Sequence, residues 1–129
     1  MDAAQALADL TEISSQVEAA VLFDEAGEVS GSTLPDEAAG RLARAAAELL
    51  SRAGELAEEG VEVTQVEAST PDGSVFVVRD GERRIAATTG PDPTVGLVFY
   101  DLKSCLRGVA EEKPRRRRAA KKEEGGDEA

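Results

Sequence analysis

Asp24, Glu25 and Glu28 crowd one turn of the chain, and Cys105 is its only thiol. Neighbouring carboxylates supply the hard oxygen atoms that a divalent cation prefers. The spacing lacks the loop pattern of an EF-hand, however, and a solvated acid-rich turn is the commoner arrangement, so no metal site is expected. A thiol becomes a nucleophile when a nearby base takes its proton. The sequence has no histidine, which removes that base and also the side chain best suited to proton transfer near neutral pH. Cys105 falls on an apolar helical stripe and reads as a buried, inert thiol. No G-x-x-x-x-G-K-[ST] loop occurs, so the chain cannot itself cradle a nucleotide in that way. The expectation is a protein with no catalytic residues, no cofactor, no metal and no small-molecule substrate.

The elements that carry these residues follow from periodicity. Ala3, Leu7, Leu10, Ile13 and Val17 recur at spacings of three and four, the stripe of an amphipathic helix. Ala19 to Phe23 is apolar without a break, which predicts a strand covered on both faces. Glu25-Ala26-Gly27-Glu28 turns the chain, and the polar stretch Glu28 to Ser32 suits a sheet edge. Pro35, Asp36 and Glu37 open a second helix, with the acids at its positive end. That helix is expected to run to Glu59 and to end at Gly60.

Three strands follow, VEVTQVEA from Val61, SVFVVR from Ser74 and ERRIAATT from Glu82, separated by the turn signals Asp72-Gly73 and Asp80-Gly81. VGLVFY alone fits strand or helix. Asp92-Pro93 as a cap, and the apolar face Val95, Val98, Leu102, Cys105 and Val109, decide for a helix that Pro114 ends. The fold class is therefore α/β: helix, two strands, helix, three strands, helix, with a five-stranded, mostly antiparallel sheet and helices on both faces.

Of the 129 residues, positions 1–112 read as one domain and 113–129 as a disordered charged tail. Aromatic residues make up only 3%, so Val, Leu, Ile and Ala must build the core. One cysteine permits no internal disulfide, which favours a reducing compartment. MDAAQALADL has no basic residue and no long apolar run, unlike a secretory leader. No stretch approaches the roughly 20 apolar residues that span a bilayer. The expected location is the cytoplasm.

The net charge of −11 conceals a division, because the domain holds eight basic and 22 acidic residues whereas the tail is net basic. So acidic a surface repels nucleic acid. The basic run from Arg115 to Lys122 offers contact with nucleic acid or an anionic membrane, but Glu123, Glu124, Asp127 and Glu128 dilute it, and a solvated tail is the preferred reading.

On the second helix the polar residues Glu37, Arg41, Arg44, Glu48, Arg52, Glu55 and Glu59 form one narrow stripe. Apart from Asp36 and Glu58 at its ends, everything else is Leu, Ala, Gly or one Ser. Leu42, Leu49 and Leu56 make a ridge, with Ala39, Ala46, Leu50, Ala53 and Ala57 beside it. Packing on one sheet uses an apolar stripe of about 100°, and this helix offers more. A second copy alongside would bury the surplus, although alanine is also a good helix former that tolerates exposure. The alternating strand from Val61 suits an edge, and edges are covered, blunted or paired.

The order of elements, AVLFDEAGEVSGS in the first hairpin and TVGLVFYDL opening the last helix resemble the bacterial branch of the Roadblock / dynein light chain family, from about Leu7 to Glu112. The resemblance implies a five-stranded antiparallel sheet with one helix on one face and two on the other. It implies homodimers that join third strands into a ten-stranded sheet and pair their second helices. It also implies a scaffold or regulator of a Ras-like small GTPase, with motor and signalling adaptors as the other role in the family. The expected dimer interface is Ala39, Leu42, Ala46, Leu49, Leu50, Ala53, Val61, Val63 and Gln65. Arg41, Arg44 and Arg52 are the candidate partner-binding residues, either docking a GTPase or forming surface pairs with Glu37, Glu48 and Glu55. A dimeric adaptor with no GTPase partner fits the residues equally well.

Overall fold

A computed structural model describes residues 2–125, with side chains described over 2–110. Helix α1 (Ala3–Ile13) opens on Asp2, whose carboxylate accepts the Gln5 amide at 2.8 Å, as an N-cap should. Ala6, Leu7 and Leu10 are buried. The expected stripe does not continue: the Ser14 amide closes the last turn on Leu10, and Ser14 is extended. Ile13 is left 72% exposed, and Val17 becomes the first residue of β1 (Val17–Asp24). The spacing from Ile13 to Val17 fits a helix but spans the chain's exit from one.

Strand β1 has Ala19 to Phe23 buried without interruption. Asp24 closes the following turn, its Oδ1 accepting the amides of Ala26 and Glu28 at 2.9 Å each, while Gly27 takes a φ of 87° that a side chain would resist. β2 (Val29–Ser32) is short and pairs with β1. Its Gly31 lies under α1, where a Cβ would stand 2.9 Å from that of Ala3.

Helix α2 (Asp36–Leu56) ends a turn before Glu59, because Ala57 is already extended. The chain turns through Gly60, at a φ of 85°. β3 (Gln65–Thr70) then starts four residues later than the alternation from Val61 implies. Residues 61–64 run beside the sheet rather than in it. The Arg79 amide reaches Thr64 O at 2.9 Å, and the Arg79 guanidinium holds Glu62 at 2.6 Å. β4 (Gly73–Asp80) and β5 (Arg83–Thr89) follow, and the sheet runs β2-β1-β5-β4-β3, antiparallel throughout.

Helix α3 (Val95–Gly125) begins after Thr94, whose carbonyl accepts the amides of Leu97 and Val98. Asp92 is not the cap; it sits at a φ of 57°, in the left-handed region that aspartate tolerates. The helix continues past Pro114, where the sequence places its end. Pro114 removes one donor from the ladder, but the Arg, Ala, Lys and Glu residues beyond it are strong helix formers. Of the disordered charged tail expected over 113–129, after a domain over 1–112, the backbone to Gly125 is described as helix α3, and residues 126–129 lie outside those described.

Alternation along the strands builds two cores. Ala20, Leu22, Phe76, Val78, Ile85 and Ala87 face α1 and α3, where Phe76 meets Phe99 edge-to-face with ring centroids 5.0 Å apart. Val21, Phe23, Val77 and Ala86 face α2. The central strand β5 sets Ala86 between Val21 and Val77, and Ile85 between Leu22 and Val78. Two helices therefore cover one face and one helix covers the other.

Candidate self-association and docking surface

Cys105 and Asp24 each make a hydrogen bond to the chain's own backbone. Cys105 is buried, and its Sγ donates to the carbonyl of Ala6 at 3.6 Å. Burial, with a smaller contribution from the charge of Asp9, raises its pKa from 9.0 to about 11, so the thiol is protonated at neutral pH and is a poor nucleophile. Asp24 is exposed, as Glu25 and Glu28 are, and one of its oxygens, Oδ1, holds the turn.

The surface with unsatisfied packing lies on α2. Ala39, Ala43, Ala46 and Leu50 are buried against the chain's own sheet. Three residues expected at a dimer interface, Ala39, Ala46 and Leu50, thus already belong to the intramolecular core and have almost no surface left to offer. The reason is geometric: their spacing of seven and four residues puts them on the face turned to Val21, Phe23 and Val77.

Leu42, Leu49 and Ala53 lie on the flank and are half-buried. Ala45 on the same flank is exposed, Ala38 is half-buried, and Leu56 is 90% exposed. Ala38, Leu42, Ala45, Leu49 and Leu56 make an apolar line interrupted at Arg52, with leucine returning after every two turns. That is the spacing of a helix–helix seam. Ala38 and Ala45 escaped the sequence reading, although the heptad interval of Leu42, Leu49 and Leu56 was the signal that pointed to them.

Beside this flank is the open edge of β3, which pairs only with β4 among the described strands. Gln65 is exposed at its start. Val61 is 57% exposed before it, and Val63 is half-buried against the α2 core. Val61 and Val63 therefore adjoin the edge without being strand residues.

On the outer face of α2, Arg41 lies 3.9 Å from Glu37, and Arg52 lies 3.5 Å from Glu48 and 4.0 Å from Glu55. These exposed pairs stabilise the helix by only about 0.2–0.5 kcal/mol each. Arg44 is exposed and makes no ion pair among the described residues. The structure brings all three arginines onto one outward stripe.

The family model described as Roadblock/LC7 domain matches residues 4–89, from α1 to the end of β5. The chain belongs to the Roadblock/LC7 family. The match stops before α3, so the likeness carried by TVGLVFYDL lies outside it. Solved Roadblock structures agree over more of the chain. A Roadblock/LC7 domain from Streptomyces avermitilis is 21% identical, with a TM-score of 0.77 over 87% of this chain and 98% of that one. MglB of Myxococcus xanthus is 16% identical, with a TM-score of 0.63 over 85% of each chain. An MglB structure described as having a tetrameric arrangement is 19% identical, with a TM-score of 0.60 over 83% of this chain and 86% of that one. At these identities the likeness is one of fold. No curated protein matches the sequence. Among the described residues of this Roadblock/LC7 chain, no helix is long and apolar enough to cross a membrane.

Proposed function

We propose that the protein is a non-enzymatic, cytoplasmic homodimer that serves as a scaffold or regulator of a Ras-like small GTPase. The observation that carries this reading is the apolar flank of α2, with Leu56 90% exposed, beside the unpaired edge of β3. Joining two β3 edges would set two α2 helices side by side. The Leu42, Leu49 and Leu56 flanks would then cover one another, with Ala45 allowing close approach. Gln65, Val61 and Ala53 complete this interface, and Val63 supports it from below. The outer arginine stripe of each α2, led by the unpaired Arg44, is the docking surface for the GTPase. Family membership supports the GTPase as partner.

Sedimentation of the full chain at micromolar concentration is expected to report a dimer. A compact single chain under those conditions would remove the platform. Affinity purification from native cytosol, with bound nucleotide analysed, is expected to recover a guanine nucleotide with the partner. A stable partner without nucleotide would assign the dimer to an adaptor role instead.

A further inference from the structure

The face of the sheet opposite α2 carries a groove that the dimer reading leaves unused. It runs between α1 and α3 and has a volume of about 330 Å³. The helices lie antiparallel, with the end of α1 near the start of α3 and Ala6 near Cys105. Ala6, Leu10 and Cys105 line its buried part, while Ile13 and Tyr100 stand at its rim, 72% and 62% exposed. Leu97, one turn before Asp101 on α3, is 50% exposed.

Asp101 decides what such a groove would hold. It lines the groove and is only 8% exposed, yet its carboxylate has neither a hydrogen bond nor an ion pair among the described residues. Its oxygens still reach the water of the groove, since Nε of Arg79 is the buried side-chain atom left without a partner among the described residues. Asp9 lines the groove from α1. The two charged side chains named in the lining are thus both acidic, and among the described residues no basic one pairs with them. A ligand that carried a cationic donor would complement Asp101 and Asp9, and one with an aliphatic side chain would cover Ile13 and Tyr100.

We propose that this groove receives an amphipathic helix of a partner protein, which lays an aliphatic side chain between Ile13 and Tyr100 and gives an Arg or Lys to Asp101. Two antiparallel helices form the ridges between which a third helix seats. A bidentate arginine would meet the carboxylate with the strongest class of hydrogen bond. The chain's own tail is basic, but its apolar residues from 113 onward are alanines and one proline, so it has no large side chain for the groove. The α1–α3 groove and the α2 flank lie on opposite faces of the sheet, so either reading can fail alone.

The test is to select stapled helical peptides, randomised along one face, against the full-length protein. Selected peptides are expected to share an aliphatic residue and an Arg or Lys one turn apart. Asp101→Asn, which keeps the shape but not the charge, is expected to weaken them by about tenfold or more. Tyr100→Glu at the exposed rim is expected to do the same, while Leu56→Glu on the other face leaves affinity unchanged. Should Asp101→Asn fail to fold, as read by circular dichroism, Tyr100→Glu and Ile13→Glu decide the matter. Selection of no binder, of peptides without a basic residue, or of peptides indifferent to these substitutions would overturn the proposal. So would a synthetic peptide of residues 113–125 that displaces the selected helices, because the occupant would then be a second copy of this chain.

Discussion

The backbone amide of Thr94 donates to Oε1 of Gln16 at 2.6 Å, joining positions 78 residues apart. Gln16 follows the last turn of α1, and Thr94 accepts the first free amides of α3. One bond therefore ties the exit of one helix to the entry of the other. It sets the end of the seam along which Ala6 and Cys105 meet.

Gln16→Ala removes this acceptor from a partly solvated site and is expected to cost about 1 kcal/mol. The urea midpoint should fall with an unchanged slope. Gln16→Glu keeps an acceptor and should retain most of that stability. An alanine variant with the parental midpoint would show that packing alone aligns the helices.

Leu56→Glu and Ala46→Glu separate association from folding on one helix. Leu56 is 90% exposed in the single chain, so its substitution should leave the monomer's melting temperature within about 1 °C while weakening the dimer by about tenfold or more. Ala46 is 0% exposed against the sheet, and an acid there is expected to cost several kcal/mol and prevent folding. Analytical ultracentrifugation and circular dichroism read the two effects. Unchanged association of Leu56→Glu would remove this flank from the interface.

Cys105 makes stability depend on pH in the alkaline range. Its folded pKa of about 11 lies above the 9.0 of the unfolded thiol. Between these values the unfolded chain has lost its proton while the folded chain keeps it, so unfolding is favoured as pH rises. The contribution is fully present below pH 9 and declines toward pH 11. Cys105→Ala should abolish that part of the decline, as seen in denaturant midpoints measured across the range. At pH 8 the same shift should slow alkylation by iodoacetamide about 100-fold against a free thiol.

Reversing Arg41, Arg44 and Arg52 together to glutamate should cost little stability, because the pairs with Glu37, Glu48 and Glu55 are exposed and weak. Binding of the guanine-nucleotide-loaded partner should fall by about tenfold or more. Calorimetry with single reversals should place the largest loss at Arg44. Equal binding by the parent and the triple variant would remove the stripe from the docking surface.

Much of this molecule is legible without coordinates because local chemistry repeats at fixed intervals. The unbroken run from Ala19 to Phe23 announced a strand buried on both faces, and β1 is that strand. Glycine and acid clusters located the hairpins, and the polar stripe from Glu37 to Glu55 marked the outer face of α2. The missing histidine narrowed the chemistry before any geometry was known. Other features misled for equally local reasons. Ile13 and Val17 kept the helical interval across a helix end, and Val61 to Thr64 kept a strand's alternation outside the sheet.

Residue order alone therefore fixed the succession of elements, the outward polar stripe and the poverty in catalytic groups, since each depends on neighbours within a few positions. Tertiary packing decided the rest. The angle at which α2 lies on the sheet divides Ala39, Ala46 and Leu50, turned inward, from Leu42, Leu49 and Leu56 on the flank. The contact between α1 and α3 sets Asp101 in the lining of a groove with no donor beside it among the described residues. A carboxylate on a helix is unremarkable in one dimension; its meaning comes from what a distant segment packs beside it.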